Sequence, residues 1–224
     1  MSWPSSIEYE RRINEAVNAR LGGTSSASLI LRSFNFQEIA DLQAQGEWDS
    51  LSRMLAEAAR ALVAGGADAI AICTNTMHLV APQVASSIDV PLLHIGDATA
   101  EAITAEGVRS VALLGTRYTM EKQFLKERLT DAGIEVLVPS EPQREQLQQM
   151  IYGELVQGVF TDASRGTVLA MMRELVEAGA RGVVAGCTEI ELLVPAELVA
   201  RELGVPYFAT ASIHALAIAE FALG

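Results

Sequence analysis

The sequence predicts an α/β fold of two similar half-domains with parallel sheets, related by a pseudo-twofold axis. Three observations predict it. Short apolar runs alternate with helical patterns along the chain, as parallel strands joined by crossover helices do. Hydrophobic residues make up 50% of the 224 and aromatics only 5%, so Ala, Val, Leu and Ile must fill a sizeable core. The second half of the chain repeats the first.

The elements follow in order. Ser5-Ser6-Ile7-Glu8 reads as a capping box after Pro4 and opens a helix to about Arg20, stopped by Leu21-Gly22-Gly23. Ala27 to Phe34 predicts a strand, and a loop or short helix follows from Gln37 to Gly46. Asp49 can cap a helix with Leu51, Leu55, Ala58 and Leu62 on one face, ended by Gly65-Gly66. Ala69 to Ile72 is a short buried strand with Cys73 at its end. Then come a helix over about Asn75 to Ser87, a strand over Val90 to His94 and a helix over Ala98 to Ala105. Ser110 to Leu114 is a strand running into Gly115-Thr116; Thr119 to Ala132 is helical; Ile134 to Val138 is a strand. Helices over about Gln143–Gln157 and Ser164–Ala178 precede the strand Gly182 to Ala185. Gly186-Cys187-Thr188-Glu189, a helix, the strand Val205 to Phe208 and a final helix to Leu223 complete the chain.

Composition excludes several classes. The formal net charge is −12, from 16 basic and 28 acidic residues. A nucleic-acid surface needs clustered Lys and Arg to replace counterions, and a membrane-surface helix needs a basic face. No apolar run approaches the roughly 18 residues of a transmembrane span. The start, Met-Ser-Trp-Pro-Ser-Ser-Ile-Glu, has neither the basic nor the apolar region of a signal peptide. The expected location is cytoplasmic, where Cys73 and Cys187 are thiols.

The repeat is specific. At an offset of 114, Gly65 falls on Gly179, Ala71 on Ala185, Cys73-Thr74 on Cys187-Thr188 and Leu79-Val80 on Leu193-Val194. After one inserted residue, Val90-Pro91 falls on Val205-Pro206 and Ala102-Ile103 on Ala217-Ile218. The only two cysteines thus take equivalent positions, each followed by Thr. The half-domains are expected to be 1–96 with 209–224, carrying Cys73, and 97–208, carrying Cys187, with the active-site cleft between them. The same offset sets Met1 opposite Gly115, so the strand Ser110 to Leu114 has no counterpart in the first half. The chain is therefore expected to lack its first strand, through a misplaced start codon or a truncation.

Strand-end cysteines before a helix N-terminus point to thiolate chemistry. Unpaired backbone N–H groups and the helix dipole stabilise the thiolate, so a modest depression of the thiol pKa is expected. Two such groups on opposite faces of a carbon can exchange a proton, one thiolate removing it and one thiol returning it. The same motif offers N–H groups and Thr and Asn side chains to a carboxylate. The competing readings are buried structural cysteines and a redox pair, but no Cys-x-x-Cys is present. His78, His94 and His214 have no metal-ligand spacing, so no metal is expected. His78 reads as packed or exposed, and Glu189 and Glu191 as either first-turn acids or catalytic groups. No Gly-x-Gly-x-x-Gly follows a strand, and no phosphate loop is present.

Cys73-Thr74-Asn75-Thr76-Met77-His78 and Gly186-Cys187-Thr188-Glu189-Ile190 resemble the two active-site motifs of the aspartate/glutamate racemase superfamily. Leu113-Leu114-Gly115-Thr116-Arg117-Tyr118-Thr119-Met120 and Gly46-Glu47-Trp48-Asp49 add to the resemblance, which covers essentially the whole chain. Within the superfamily the sequence is most similar to the aspartate racemase branch and its enterobacterial broad-specificity amino-acid racemases. Glutamate racemases usually carry His after the second Cys-Thr, where this chain has Glu189.

The resemblance implies an amino-acid racemase, an isomerase working without pyridoxal phosphate or other cofactor and assembling as a homodimer. It implies Cys73 and Cys187 as proton acceptor and donor, and Thr74, Asn75, Thr76 and Thr188 at the substrate carboxylate. Phe36 to Gln43 would border the side-chain pocket, with Gln43 its polar residue. Relatives also carry an apolar strand ending in Gly-Gly before Met-Ser-Trp. Strict aspartate racemases have a basic residue near Tyr152 to Gly158, and this chain has neither Lys nor Arg there. The expected substrate is thus aspartate, glutamate or a broader set of amino acids. The alternatives are a hydantoin racemase or maleate isomerase of the same superfamily, or a non-catalytic small-molecule binding protein. Arylmalonate decarboxylases of this frame keep one of the two cysteines, whereas this chain has both.

Overall fold

A computed structural model describes residues 3–224. The chain divides into two compact units, the described residues up to His94 with His214–Gly224, and Ile95–Ile213.

In the first unit α1 (Trp3–Leu21) begins two residues before the expected capping box and buries Tyr9, Ile13 and Val17. The residue ahead of Trp3 lies outside the described residues, so the helix cap does too. Segment 28–34, expected as part of a strand, has no regular secondary structure. It has the apolar residues of one, yet among the described residues it pairs with no strand of either sheet. It is tied back to α1, with the Ala27 N–H donating to Asn14 Oδ1 at 2.9 Å. Segment 37–46 is helical rather than a loop: α2 (Phe36–Gln45) is capped by Asn35, whose Oδ1 accepts from the Gln37 N–H at 3.2 Å. It ends at Gly46 in the left-handed region (φ 73°), the conformation glycine adopts without Cβ strain. In α3 (Trp48–Ala64) Asp49 sits in the first turn and Glu47 takes the cap position. Leu51, Leu55 and Ala59 pack with Ile39, Ile70, Met77 and Val84.

Strand β1 (Ile70–Ala71) is shorter than the sequence predicts and pairs in parallel with β2 (Leu92–Leu93). Among the described residues this sheet has the order β1-β2 and nothing further. The helix expected over 75–87 is two pieces, a 3-10 turn at Thr76–Val80 and α4 (Ala81–Ala85). Pro82 lacks an N–H and its ring excludes a continuous α-helix through that point.

The second unit opens with α5 (Ile95–Ala105) and holds a complete sheet. Strands β3 (Ser110–Gly115), β4 (Glu135–Leu137), β5 (Val183–Gly186) and β6 (Tyr207–Ala209) lie in the order β4-β3-β5-β6, all parallel. Central β3 is buried on both faces, as its continuous apolar run requires. Alternation sends Ala112, Leu114, Val183 and Ala185 into a core with Leu147, Val168 and Met172. Their neighbours Val111, Leu113 and Val184 enter a second core with Ile103, Leu125 and Leu129.

The helix expected over 119–132 is broken at Lys122, which is extended (φ −80°, ψ 161°), into α6 (Arg117–Glu121) and α7 (Gln123–Asp131). Thr116 caps α6, its Oγ1 accepting from the Thr119 N–H at 3.3 Å. Helix α8 (Glu141–Gly153), with a capping box at Ser140 and Gln143, leads into a 3-10 turn at Leu155–Gln157. Helices α9 (Asp162–Glu177), α10 (Thr188–Leu193) and α11 (Ala196–Leu203) cover the sheet. The last helix, α12 (Thr210–Leu223), starts in the second unit, and its residues from His214 belong to the first.

Candidate active site

Each cysteine sits where a parallel strand ends. Cys187 follows β5 and is the cap residue of α10, with extended backbone (φ −158°). Two glycines make this strand end possible. Gly115 and Gly186 are register partners on β3 and β5. A Cβ on Gly186 would lie 2.8 Å from Thr119 Cγ2 and 3.1 Å from the Leu114 carbonyl oxygen. A Cβ on Gly115 would lie 2.9 Å from the Gly186 carbonyl oxygen. Only bare backbones can approach this closely, and their approach fixes where Cys187 begins.

The Cys187 thiol is buried and donates to Glu189 Oε2 at 2.9 Å. Burial pushes this thiol well above its ordinary range, and the charge and hydrogen bond of Glu189 raise it further. Backbone N–H groups of Glu189 and Ile190 pull the other way and are outweighed. Burial also raises the Cys73 thiol. The depression expected from the helix termini is therefore reversed at both sites: desolvation of the thiolate exceeds the stabilisation a short helical turn supplies. The Tyr152 phenol is likewise raised, by burial first and then by the nearby charge of Cys187.

Thr188 is buried beside Cys187. Glu191, two residues beyond Glu189, has a structural task. Its Oε1 accepts from the Ala211 N–H at 2.7 Å and its Oε2 from the Ser212 hydroxyl at 3.1 Å, so the carboxylate anchors the N-terminus of α12.

Around Cys73 the backbone turns tightly, the Thr74 N–H donating to the Ile72 carbonyl at 2.7 Å. Asn75 and Thr76 are buried in the turn, while Thr74 keeps partial exposure. His78 is fully buried and its Nδ1 contacts the Thr74 carbonyl oxygen at 2.7 Å, which fixes the loop that follows Cys73. Gln43 is buried in the same unit, donating through Nε2 to Met77 Sδ at 3.1 Å. The structure thus brings Thr74, Asn75 and Thr76 to the Cys73 turn, Gln43 to the adjoining Met77, and Thr188 to Cys187.

Sequence reasoning left two features open. Glu189 is signalled only by its place two residues after a cysteine. The three histidines gather in the first unit, with His78 and His94 rings 4.4 Å apart and His78 and His214 rings 5.8 Å apart. His214 Nε2 bonds the Leu93 carbonyl oxygen at 2.9 Å, leaving Nδ1 to the Tyr9 hydroxyl at 3.0 Å. Burial lowers His78 well below the ordinary value and His214 to about 4. Among the described residues no group of three or more His, Cys, Asp or Glu could hold a metal ion, and no helix is long and apolar enough to cross a membrane.

Each unit thus carries a cysteine-threonine turn that follows a strand of a parallel pair. The chain belongs to the Asp/Glu/hydantoin racemase family, whose model matches residues 1–218. It is similar to the crystal structure of a provisionally assigned Asp/Glu racemase from Yersinia pestis, at 46% identity and a TM-score of 0.92 over 100% of this chain and 96% of that one. An aspartate racemase homologue from Pyrococcus horikoshii is 32% identical, with a TM-score of 0.83 over 100% of this chain and 96% of that one. The aspartate racemase of Picrophilus torridus shares the fold, at 14% identity and a TM-score of 0.71 over 97% of this chain and 89% of that one. The α/β fold and the racemase class, an isomerase of the aspartate branch, follow from these matches.

Proposed function

We propose that this chain racemises a free amino acid, aspartate, glutamate or a broader set, by proton exchange at Cα between Cys73 and Cys187. One thiolate takes the Cα proton, the electron pair stays on the carbanion carbon, and the other thiol returns a proton from the opposite face. The carbon inverts, and the two sulfurs exchange protonation states. Thr74, Asn75, Thr76 and Thr188, with the backbone N–H groups of both turns, are the groups that would hold the carboxylate, and Gln43 the side chain.

The observation that carries the reading is the Cys187–Glu189 hydrogen bond at 2.9 Å. With its proton held toward Glu189, Cys187 is kept as the thiol, the partner that returns a proton to the carbanion. The reading takes its proton-transfer groups from side chains and calls on no cofactor.

Cys73→Ser and Cys187→Ser are each expected to abolish racemisation of both enantiomers in a chiral chromatographic assay while leaving the far-UV spectrum intact. A serine hydroxyl is far too weak a base at neutral pH. Near-wild-type turnover of either variant, or absence of solvent deuterium at Cα in D₂O with the wild type, overturns the two-base reading.

A further inference from the structure

A trans peptide points its carbonyl and its N–H to opposite sides, so a group that holds the carbonyl also aims the N–H. In the first unit one residue holds two successive carbonyls of the turn after Cys73. The His78 ring meets the Thr74 carbonyl through Nδ1 at 2.7 Å, and the His78 main-chain N–H donates to the Asn75 carbonyl at 2.9 Å. Across those two peptides lie the N–H groups of Asn75 and Thr76, which are thereby directed away from His78. The Thr74 N–H is turned back on the Ile72 carbonyl at 2.7 Å and takes a different course.

The ring that does this is fixed in both protonation and orientation. His78 is fully buried, and burial first, then the neighbouring imidazoles His94 and His214, hold it well below its ordinary value. A neutral imidazole carries one N–H and a carbonyl can only accept, so that proton sits on Nδ1. His94 packs edge-on against the ring with centroids 4.4 Å apart and 74° between planes, and His214 does so at 5.8 Å and 70°. His214 is itself held at both nitrogens, Nε2 donating to the Leu93 carbonyl at 2.9 Å and Nδ1 accepting from the Tyr9 hydroxyl at 3.0 Å. Leu93 is the register partner of Ala71, so the stack is referenced to the sheet whose β1 leads to Cys73. Leucine would fill the place of His78 without the cost of desolvating an imidazole, and what it lacks is the N–H on the Thr74 carbonyl.

We propose that His78 is a positioning residue: through Nδ1 it holds the Thr74 carbonyl and so aims the Asn75 N–H, alongside that of Thr76, at the α-carboxylate of the amino acid beside Cys73, while His94 and His214 brace its ring. This rests on the reading above that the Cys73 turn holds the carboxylate. As the Cα proton leaves, negative charge spreads onto that carboxylate, so a donor fixed in advance counts more in the transition state than in the ground state. His78 acts through the main chain and exchanges no proton.

The test places His78→Asn, His78→Gln and His78→Leu in the full chain. Asn sets an N–H donor where Nδ1 stands, Gln carries its donor to the place of Nε2, and Leu has none. Two readouts are taken with L-aspartate, L-glutamate, L-glutamine and L-methionine: racemisation by chiral chromatography, and the concentration that half-protects Cys73 from iodoacetamide, read by mass spectrometry. Urea midpoints are recorded alongside. The Leu and Gln variants are expected to lose about tenfold or more in kcat/KM and to need several-fold more amino acid for protection. The Asn variant should stay within about threefold of the wild type in both, even where its urea midpoint falls. A purely structural histidine would instead order the variants by urea midpoint. That order, or equal values for Asn and Leu, overturns the inference, and the proton-exchange reading stands if the wild type racemises. Where Leu unfolds the chain, Asn against Gln decides by the same rule. Donor-dependent protection without racemisation by the wild type overturns proton exchange and keeps the positioning role. Neither turnover nor protection with any of the four amino acids overturns both.

Discussion

Replacing Gly186 by Ala tests whether close approach of two backbones positions Cys187. The added Cβ would stand 2.8 Å from Thr119 Cγ2, 3.1 Å from the Leu114 carbonyl oxygen and 3.2 Å from Leu113 Cδ1. Carbon pairs prefer about 3.5–4.0 Å, so the strand or Thr119 must move by several tenths of an ångström. Overpacking of this kind costs about 1–3 kcal/mol. Thr119→Ser deletes the nearest obstacle, at a cost of about 1 kcal/mol for one buried methyl group. The double variant should therefore be more stable than the sum of the two losses by about 1 kcal/mol. Gly115→Ala is the control, because its two nearest obstacles are the Gly186 carbonyl oxygen at 2.9 Å and Thr119 Cβ at 3.0 Å, and serine keeps both. Urea titrations followed by circular dichroism give the stabilities, and the racemisation rate reports the displacement of Cys187, expected to cost at least tenfold in kcat/KM. Wild-type stability of Gly186→Ala, or rescue of Gly115→Ala by Thr119→Ser as complete as that of Gly186→Ala, refutes the reasoning.

Acid stability and the role of Glu189 supply two more predictions. His214 has its folded-state pKa lowered to about 4 and His78 is also lowered, so the unfolded chain binds more protons and stability rises with pH from about 4 to 6.5, then levels. The slope is up to about 1.4 kcal/mol per pH unit for each proton, and His214→Gln should remove part of it in urea titrations across that range; an unchanged slope counts against the buried neutral imidazole. Glu189→Gln removes the charge that raises Cys187, so the acid limb of kcat/KM should move to lower pH in the direction that uses Cys187 as base. An unmoved limb would show that Glu189 does not act on this thiol.

Much of the second unit is legible in the sequence, because the apolar run Val111 to Leu114 is central, and burial on both faces leaves one reading. The first unit is harder. Ala27 to Phe34 has strand composition, but a strand requires a hydrogen-bonded neighbour, and local composition does not state whether one lies beside it. Lys122 breaks a helix without Gly or Pro, and only tertiary placement reveals it. The cysteine motifs identify the site residues by type, whereas the direction of their pKa shifts follows from burial, which spacing does not encode. Gln43 and His78 read as isolated polar residues until the fold sets one against Met77 and the other against the Thr74 carbonyl.

The division of the chain into a continuous unit and an interrupted one bears on how it is made. The unit Ile95–Ile213 is complete once its own residues have left the ribosome, whereas the other needs His214–Gly224 as well. Tyr9 is synthesised early and waits for His214, its hydrogen-bond partner, at the opposite end. At about 5–20 residues per second that wait is on the order of ten seconds or more. Through this interval the nascent first unit holds its apolar surfaces without the closing helix, a period in which holdase chaperones would have their greatest effect on yield.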